Sequence, residues 1–289
     1  MLDSDLYRNK NLDVYLVRTD KTHAQVSGNK WFKLKYSLLE AKAEGCQQII
    51  SFGGAYSNHI HALAYAAAAL DIPVTAYIRG EYSADNPTLK DAQRWGMKLI
   101  ALSREHYRNK TSAEFLDQVR AKYPQCMIIP EGGSNQNALK GVAELAQSIE
   151  AKLPRLDYLV TACGTGGTLA GLICGSLKTD RLLGIAVLKG AGFIEDDVLA
   201  LLQSANITPS VQWCLDLEGH YGGYAKVKAE HMSVMQVLEQ QHEVLLEPIY
   251  VAKMWRRFDE LVASDYFASG MRIALLHSGG LQGRRGFGL

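Results

Sequence analysis

A chain of 289 residues, 47% hydrophobic and 21% charged, has enough apolar material for one large core or two smaller ones and is too apolar for a disordered segment. Its net charge of +1 supplies no field that would draw nucleic acid or an anionic membrane surface, so neither is an expected partner. The first twenty residues are interrupted by charges from Asp3 to Asp20, and the most apolar run, Ala62–Leu70, falls far short of the roughly 20 residues of a membrane span, so a cytoplasmic protein is expected.

Short apolar runs then alternate with helical stretches along the chain. The runs Gln48–Phe52, Val74–Ile78, Lys98–Leu102, Met127–Ile129, Tyr158–Ala162, Leu182–Leu188 and Arg272–His277 are predicted strands. Most are apolar throughout, the pattern of parallel strands covered on both faces. Asn86 before Pro87 predicts a capped helix start. Thr111 and Glu114 have capping-box spacing, and a further helix is predicted from about Asn137 to Lys152, stopped by Pro154. Strand–helix–strand order implies right-handed crossovers and an open, mostly parallel α/β architecture. Glycine-rich turns follow strands in two separated groups, near Gly53 and near Gly164, and this favours two lobes facing one cleft.

Five segments carry candidate chemistry. In Ser27-Gly28-Asn29-Lys30-Trp31-Phe32-Lys33-Leu34-Lys35, a partly desolvated lysine would have a lowered pKa and could form a Schiff base. Read alone, Lys30, Lys33 and Lys35 are equally the solvated side of a helix. Gly53-Gly54-Ala55-Tyr56-Ser57-Asn58-His59 puts a hydroxyl and an amide at a helix start, where either also serves as an ordinary cap. Glu131-Gly132-Gly133-Ser134-Asn135 reads in isolation as a turn. Gly164-Thr165-Gly166-Gly167-Thr168 follows a strand and opens a helix, so its N–H groups converge beside the positive end of a helix dipole and predict a phosphate cup. The next strand ends in Lys189-Gly190 rather than an acidic residue for a ribose, which counts against a nucleotide-dependent oxidoreductase, and no GxxxxGK[ST] loop is present. A small phosphorylated cofactor fits better. His277-Ser278-Gly279-Gly280 ends the last predicted strand with another hydroxyl. The five cysteines are scattered without zinc spacing and read as ordinary buried thiols of a reducing compartment.

In this order, the five segments resemble the D-cysteine desulfhydrase and 1-aminocyclopropane-1-carboxylate deaminase family, a fold-type-II pyridoxal-phosphate branch related to tryptophan synthase β, over about Val17 to Gly280. The resemblance implies pyridoxal 5'-phosphate in the cleft between a smaller lobe, residues 34–140, and a larger one, residues 1–33 with 141–289. It makes Lys30 the Schiff-base lysine, Asn58 a contact of the cofactor's 3′-oxygen, and Gly164, Thr165, Gly166, Gly167 and Thr168 its phosphate loop. Ser57, Tyr250 and, on a looser alignment, Tyr221 become catalytic candidates, and Ser278 a partner of the pyridine nitrogen. The implied reaction is Cα deprotonation and β-elimination from a small amino acid, giving a keto acid and ammonia in an expected homodimer. Ring opening of the cyclopropane amino acid is the alternative. Val251 stands where the deaminases resemble a pattern with Glu, and His59 where they have Gln. Phe32 replaces a common arginine, and a pocket closed by it would leave a cofactor-binding protein without turnover.

Overall fold

The computed structural model describes residues 1–289. The chain runs through α1 (Asp5–Asn9), β1 (Asp13–Arg18), α2 (Asn29–Ala43), β2 (Gln48–Gly53), α3 (Asn58–Ala68), β3 (Val74–Arg79), α4 (Pro87–Arg94), β4 (Lys98–Leu102), α5 (Arg104–Arg108), α6 (Ala113–Lys122) and β5 (Cys126–Ile129). It continues through α7 (Gln136–Lys152), β6 (Tyr158–Cys163), α8 (Gly167–Gly175), β7 (Arg181–Ala186), α9 (Phe193–Ser204), β8 (Gln212–Asp216), α10 (Ala229–His242), α11 (Val251–Ala263) and β9 (Arg272–His277).

These strands form two sheets, one ordered β4-β3-β2-β5 and the other β1-β9-β6-β7-β8. Every pairing within them is parallel. The runs at Gln48 and Tyr158 therefore stand in different sheets, as the two groups of glycine turns imply.

The all-apolar strand pattern has a direct cause in how each sheet is covered. Side chains alternate along a strand. On β6, Val160 and Ala162 join the core built on Met254, Trp255 and Phe258 of α11, while Leu159 and Cys163 join the core built on α7, α8 and α9. The smaller sheet is likewise covered twice. Ile49, Ala76 and Ile78 pack with α2, α3 and α4, and Ile50, Phe52 and Tyr77 pack with Tyr107 and Val119. No helix is long and apolar enough to cross a membrane.

Two strands, β1 and β8, lie outside the predicted runs: β8 mixes polar and apolar residues under partial cover, and β1 carries only the short run Val14–Val17 between Asp13 and Arg18. Asn86 caps α4 with Pro87 in its first turn, as the sequence predicts. The helix near residue 112 is capped by Ser112, whose Oγ accepts from Phe115 N at 3.2 Å, and not by Thr111. Glu114 is then one position short of the capping-box partner site. All five cysteines are free, but only Cys163 is fully buried and Cys214 is exposed, so the expectation of uniformly buried thiols is corrected.

Candidate active site

A cavity of about 640 Å³ opens between the two sheets, lined from the smaller side by Ser57, Asn58 and His59, from the larger by Gly164–Gly166, Thr168, Tyr250 and Ser278, and at the start of α2 by Lys30. The strand ends supply most of this wall, since a parallel sheet directs all its carboxyl ends to one edge.

Lys30 is reached through a tight approach. Gly28 has φ +72°, and a Cβ there would lie 1.8 Å from Ser278 O, so only glycine lets the start of α2 lie against the turn after β9. Asn29 N donates to that same carbonyl at 3.2 Å. Lys30 Nζ donates to Asn29 Oδ1 at 3.0 Å, and Asn29 Nδ2 donates to Thr168 Oγ1 at 2.8 Å. One buried amide thus ties the lysine to the glycine loop. Burial lowers the Lys30 pKa to about 8, against a smaller opposing pull from Glu247.

The glycine loop is shaped for an oxyanion. Gly166 has φ +68°, and a Cβ on it would meet Val198 Cγ2 at 2.7 Å. The N–H groups of Gly164, Thr165 and Gly166 find no acceptor in the protein, and those of Thr168 and Leu169 lie in the first turn of α8, where no intrahelical acceptor exists. A Cβ on Gly167 would come 2.8 Å from Lys33 Nζ. A ring of orphaned donors with an ammonium group beside it is the donor set that a phosphate ester requires.

Lys33 corrects the reading of α2 as a helix with a solvated lysine face. It is 2% exposed, donates to Ser134 Oγ at 2.9 Å, and Ser134 is 2.8 Å from Thr165 Oγ1. Burial and the neighbouring Lys30 hold its pKa well below the ordinary lysine value. Lys35 is the solvated one, paired with Glu144 at 2.6 Å. The segment 131–135 is a turn, but one that delivers Ser134 to this cluster while Asn135 caps α7.

Ser57 caps α3, accepting from Ile60 N at 3.3 Å, and also lines the cavity, so both readings of its position hold. Asn58 Oδ1 accepts from Gln282 Nε2 at 2.5 Å, which fixes the amide at the cavity wall. His59 Nε2 pairs with Ser51 Oγ at 2.7 Å, and burial keeps the ring neutral. Ser278 lines the same cavity. Phe32 packs against the core beneath α7 and does not close the pocket.

Of the two tyrosine candidates, Tyr250 lines the cavity and Tyr221 does not. Tyr221 stacks on His231 with centroids 5.8 Å apart and lies under Arg256, 4.2 Å from its guanidinium carbon. The turn at Gly222 and Gly223, φ +100° and +114°, sends Tyr224 into the cavity instead, where its ring meets Tyr250 edge-on at 6.1 Å. Burial raises the pKa of both, Tyr224 to about 12, so both hydroxyls are protonated donors at neutral pH. Beneath them, Glu247 accepts from Ile249 N at 2.9 Å and Tyr250 N at 2.7 Å. Lys253 Nζ holds the carbonyls of His220 and Gly223 at 3.0 and 2.7 Å.

Two parallel-sheet lobes, a half-buried lysine at the cleft and a glycine cup opening a helix define a fold-type-II pyridoxal-phosphate enzyme. The chain belongs to the family described as pyridoxal-phosphate dependent enzymes, whose profile matches residues 4–279. Among its relatives, a putative 1-aminocyclopropane-1-carboxylate deaminase of Pyrococcus abyssi is 28% identical over 96% of this chain and 87% of its own. The bifunctional D-cysteine desulfhydrase/1-aminocyclopropane-1-carboxylate deaminase of Arabidopsis thaliana is 27% identical over 94% and 73%, and a D-cysteine desulfhydrase of Klebsiella pneumoniae 27% over 93% and 87%. The fold is that of a crystallised ACC deaminase homologue, with TM-score 0.85 at 24% identity over 98% of this chain and 89% of that one.

Proposed function

We propose that this enzyme is a lyase that removes a β-substituent from a small amino acid such as D-cysteine, releasing a keto acid and ammonia. The observation that carries the reading is the half-buried lysine Lys30, its pKa lowered to about 8 by desolvation, hydrogen-bonded through Asn29 to the phosphate cup. Relatives named for desulfhydrase and deaminase activities support the same class of chemistry.

The residues divide the work as follows. Backbone donors from Gly164 to Leu169, with Lys33, would hold the cofactor's phosphate, Asn58 its 3′-oxygen and Ser278 its ring nitrogen. Pyridoxal phosphate supplies, when bound, an electron sink for negative charge at the substrate's α-carbon. A hydroxyl at the ring nitrogen, unlike a carboxylate, does not favour the protonated ring, which suits β-elimination. Lys30, with its pKa lowered to about 8, would supply the amine that takes the Cα proton. Ser57 and the protonated Tyr250 stand on the same cavity to pass that proton on or to meet the leaving group.

Val251 bears on the choice between elimination and ring opening. It is fully buried in the core of the larger sheet, so no carboxylate follows Tyr250 at the cleft. This favours the desulfhydrase-like reading over the cyclopropane deaminase. The smaller lobe of this reading is residues 34–140, and a homodimer in the cytoplasm is its expected setting.

The test compares D-cysteine with 1-aminocyclopropane-1-carboxylate at equal enzyme, following keto acid and ammonia. D-cysteine should be preferred, and Lys30→Ala should lower its turnover by on the order of a thousandfold or more while abolishing cofactor fixable by borohydride. Preference for the cyclopropane substrate would replace elimination with ring opening.

A further inference from the structure

The cleft holds two cations that neither the cofactor cup nor the proton chemistry uses, Arg79 and Lys110, and of these Arg79 has no partner. Arg79 closes β3, at the carboxyl end of the strand, and lines the cavity. The other cations of the wall are engaged: Lys30 with Asn29, Lys33 with Ser134, and Lys110 with Glu131 at 3.1 Å. Asp197, on the opposite wall, has its pKa raised by partial burial and by Asp196, and Lys110 is the cation that opposes this. Arg79 has neither an ion pair nor a hydrogen-bonded protein partner, although Glu131 and Asp197 line the same cavity. Its charge reaches the hydroxyls of Tyr107 and Tyr224, lowering the pKa of each against the larger effect of burial. The Tyr107 hydroxyl is itself buried without a partner.

An unpaired guanidinium in a cleft wall attracts anions, and its planar fork matches an oxyanion in two hydrogen bonds. Tyr224 lies between this end of the cavity and the Gly53–Ser57 turn, its ring 3.8 Å from where a Cβ on Gly54 would stand. We propose that Arg79 binds a second anionic group, an oxyanion at the far end of the substrate's β-substituent. The substrate class is then β-substituted amino acids that end in a carboxylate or a similar oxyanion; D-cysteine, whose β-substituent is a bare thiol, would leave Arg79 unused. This deepens the proposed lyase function and rests on it.

The probe pair is S-carboxymethylcysteine and its neutral isostere S-carbamoylmethylcysteine, each as both enantiomers. Elimination takes the Cα proton onto the enzyme's base, and the Cβ–S bond breaks with its electron pair leaving on sulfur. With one water, S-carboxymethylcysteine gives pyruvate, ammonia and thioglycolate. The holoenzyme should favour the acid over the amide in kcat/KM by about tenfold. That is the low end for a charge-assisted hydrogen bond, because Arg79 is exposed to solvent. Arg79→Gln should erase the ratio, and Arg79→Lys should restore part of it. Binding of the same pair is measured by calorimetry on holoenzyme, so the two readings fail separately. If neither compound nor D-cysteine is turned over, elimination is lost as the function, yet an acid-over-amide affinity ratio that vanishes in Arg79→Gln still upholds the anion site. Equal affinity and equal turnover of acid and amide in the wild type, or a ratio unchanged in Arg79→Gln, overturns it.

Discussion

Lys30, Lys33 and Lys35 begin the same helix and meet three different surroundings, and their chemistry follows from those surroundings. At pH 7 an amine with a pKa of about 8 is neutral about a tenth of the time, against about one part in three thousand for an ordinary lysine. The lowered value favours the neutral, nucleophilic form, so covalent capture of pyridoxal phosphate by the apoprotein should rise with pH through a midpoint near pH 8 and level off by about pH 9. Stopped-flow absorbance with borohydride trapping measures it, and a rate still climbing at pH 10 would refute a desolvated Lys30. Lys33 faces the phosphate cup, so Lys33→Ala should weaken cofactor retention by roughly ten- to a hundredfold, the scale of one charge-assisted bond, while Lys30 still captures cofactor added in excess. Lys35→Ala should change retention by less than about threefold, since an exposed ion pair contributes little. Dialysis against buffer separates the two. The sequence marks the lysine-bearing segment but does not rank its members. Burial of Lys33 depends on Ser134, about a hundred residues away, and no local pattern carries that. Tyr221 and Tyr224 show the same limit, because the glycine turn between them decides which ring enters the cavity.

At the scale of the element, legibility tracks burial. The runs covered on both faces are mostly apolar, broken only by small hydroxyls such as Ser51, Thr75 and Thr161, and their bounds in the structure differ from those read off the sequence by no more than two residues. Edge position alone does not erase the signal, since β4 and β5 are edges too; β8 mixes polar and apolar residues under partial cover, and the short apolar run of β1 stands among charges at the start of the chain. Helix starts are legible where a single cap residue is available, as at Asn86, and ambiguous where Thr111 and Ser112 stand side by side. Helix packing is less visible still. α7 approaches α2 so closely that a Cβ on Gly141 would lie 1.9 Å from Phe32 O, and it approaches α8 through Gly171 and Gly175. Those glycines look like weak points of a helix when read locally. In the assembled fold they bring the lysine-bearing α2 against the helix that follows Ser134, and so place Lys33 at the cup.

At the scale of the whole molecule, the site belongs to neither sheet alone. Ser57 and Asn58 follow β2 of the four-stranded sheet, the Gly164–Thr168 loop follows β6 of the five-stranded one, and Lys30 stands at the start of the helix between them. A ligand held by all three groups is a bridge between lobes, and binding only to the folded, closed arrangement stabilises it by mass action, about 2.7 kcal/mol at a hundredfold excess over Kd. Donors in both lobes must then be protected together. Hydrogen exchange of the backbone amides, compared between apoprotein and holoprotein, should slow at 54–60 and at 164–169 in parallel, with the two segments responding over the same cofactor concentrations. Lys33→Ala should move both responses to higher concentration by a common factor, because it weakens one ligand and not one lobe. Protection confined to 164–169, with 54–60 exchanging as in the apoprotein, would mean that the phosphate cup alone holds the cofactor and that Asn58 has no part in binding it.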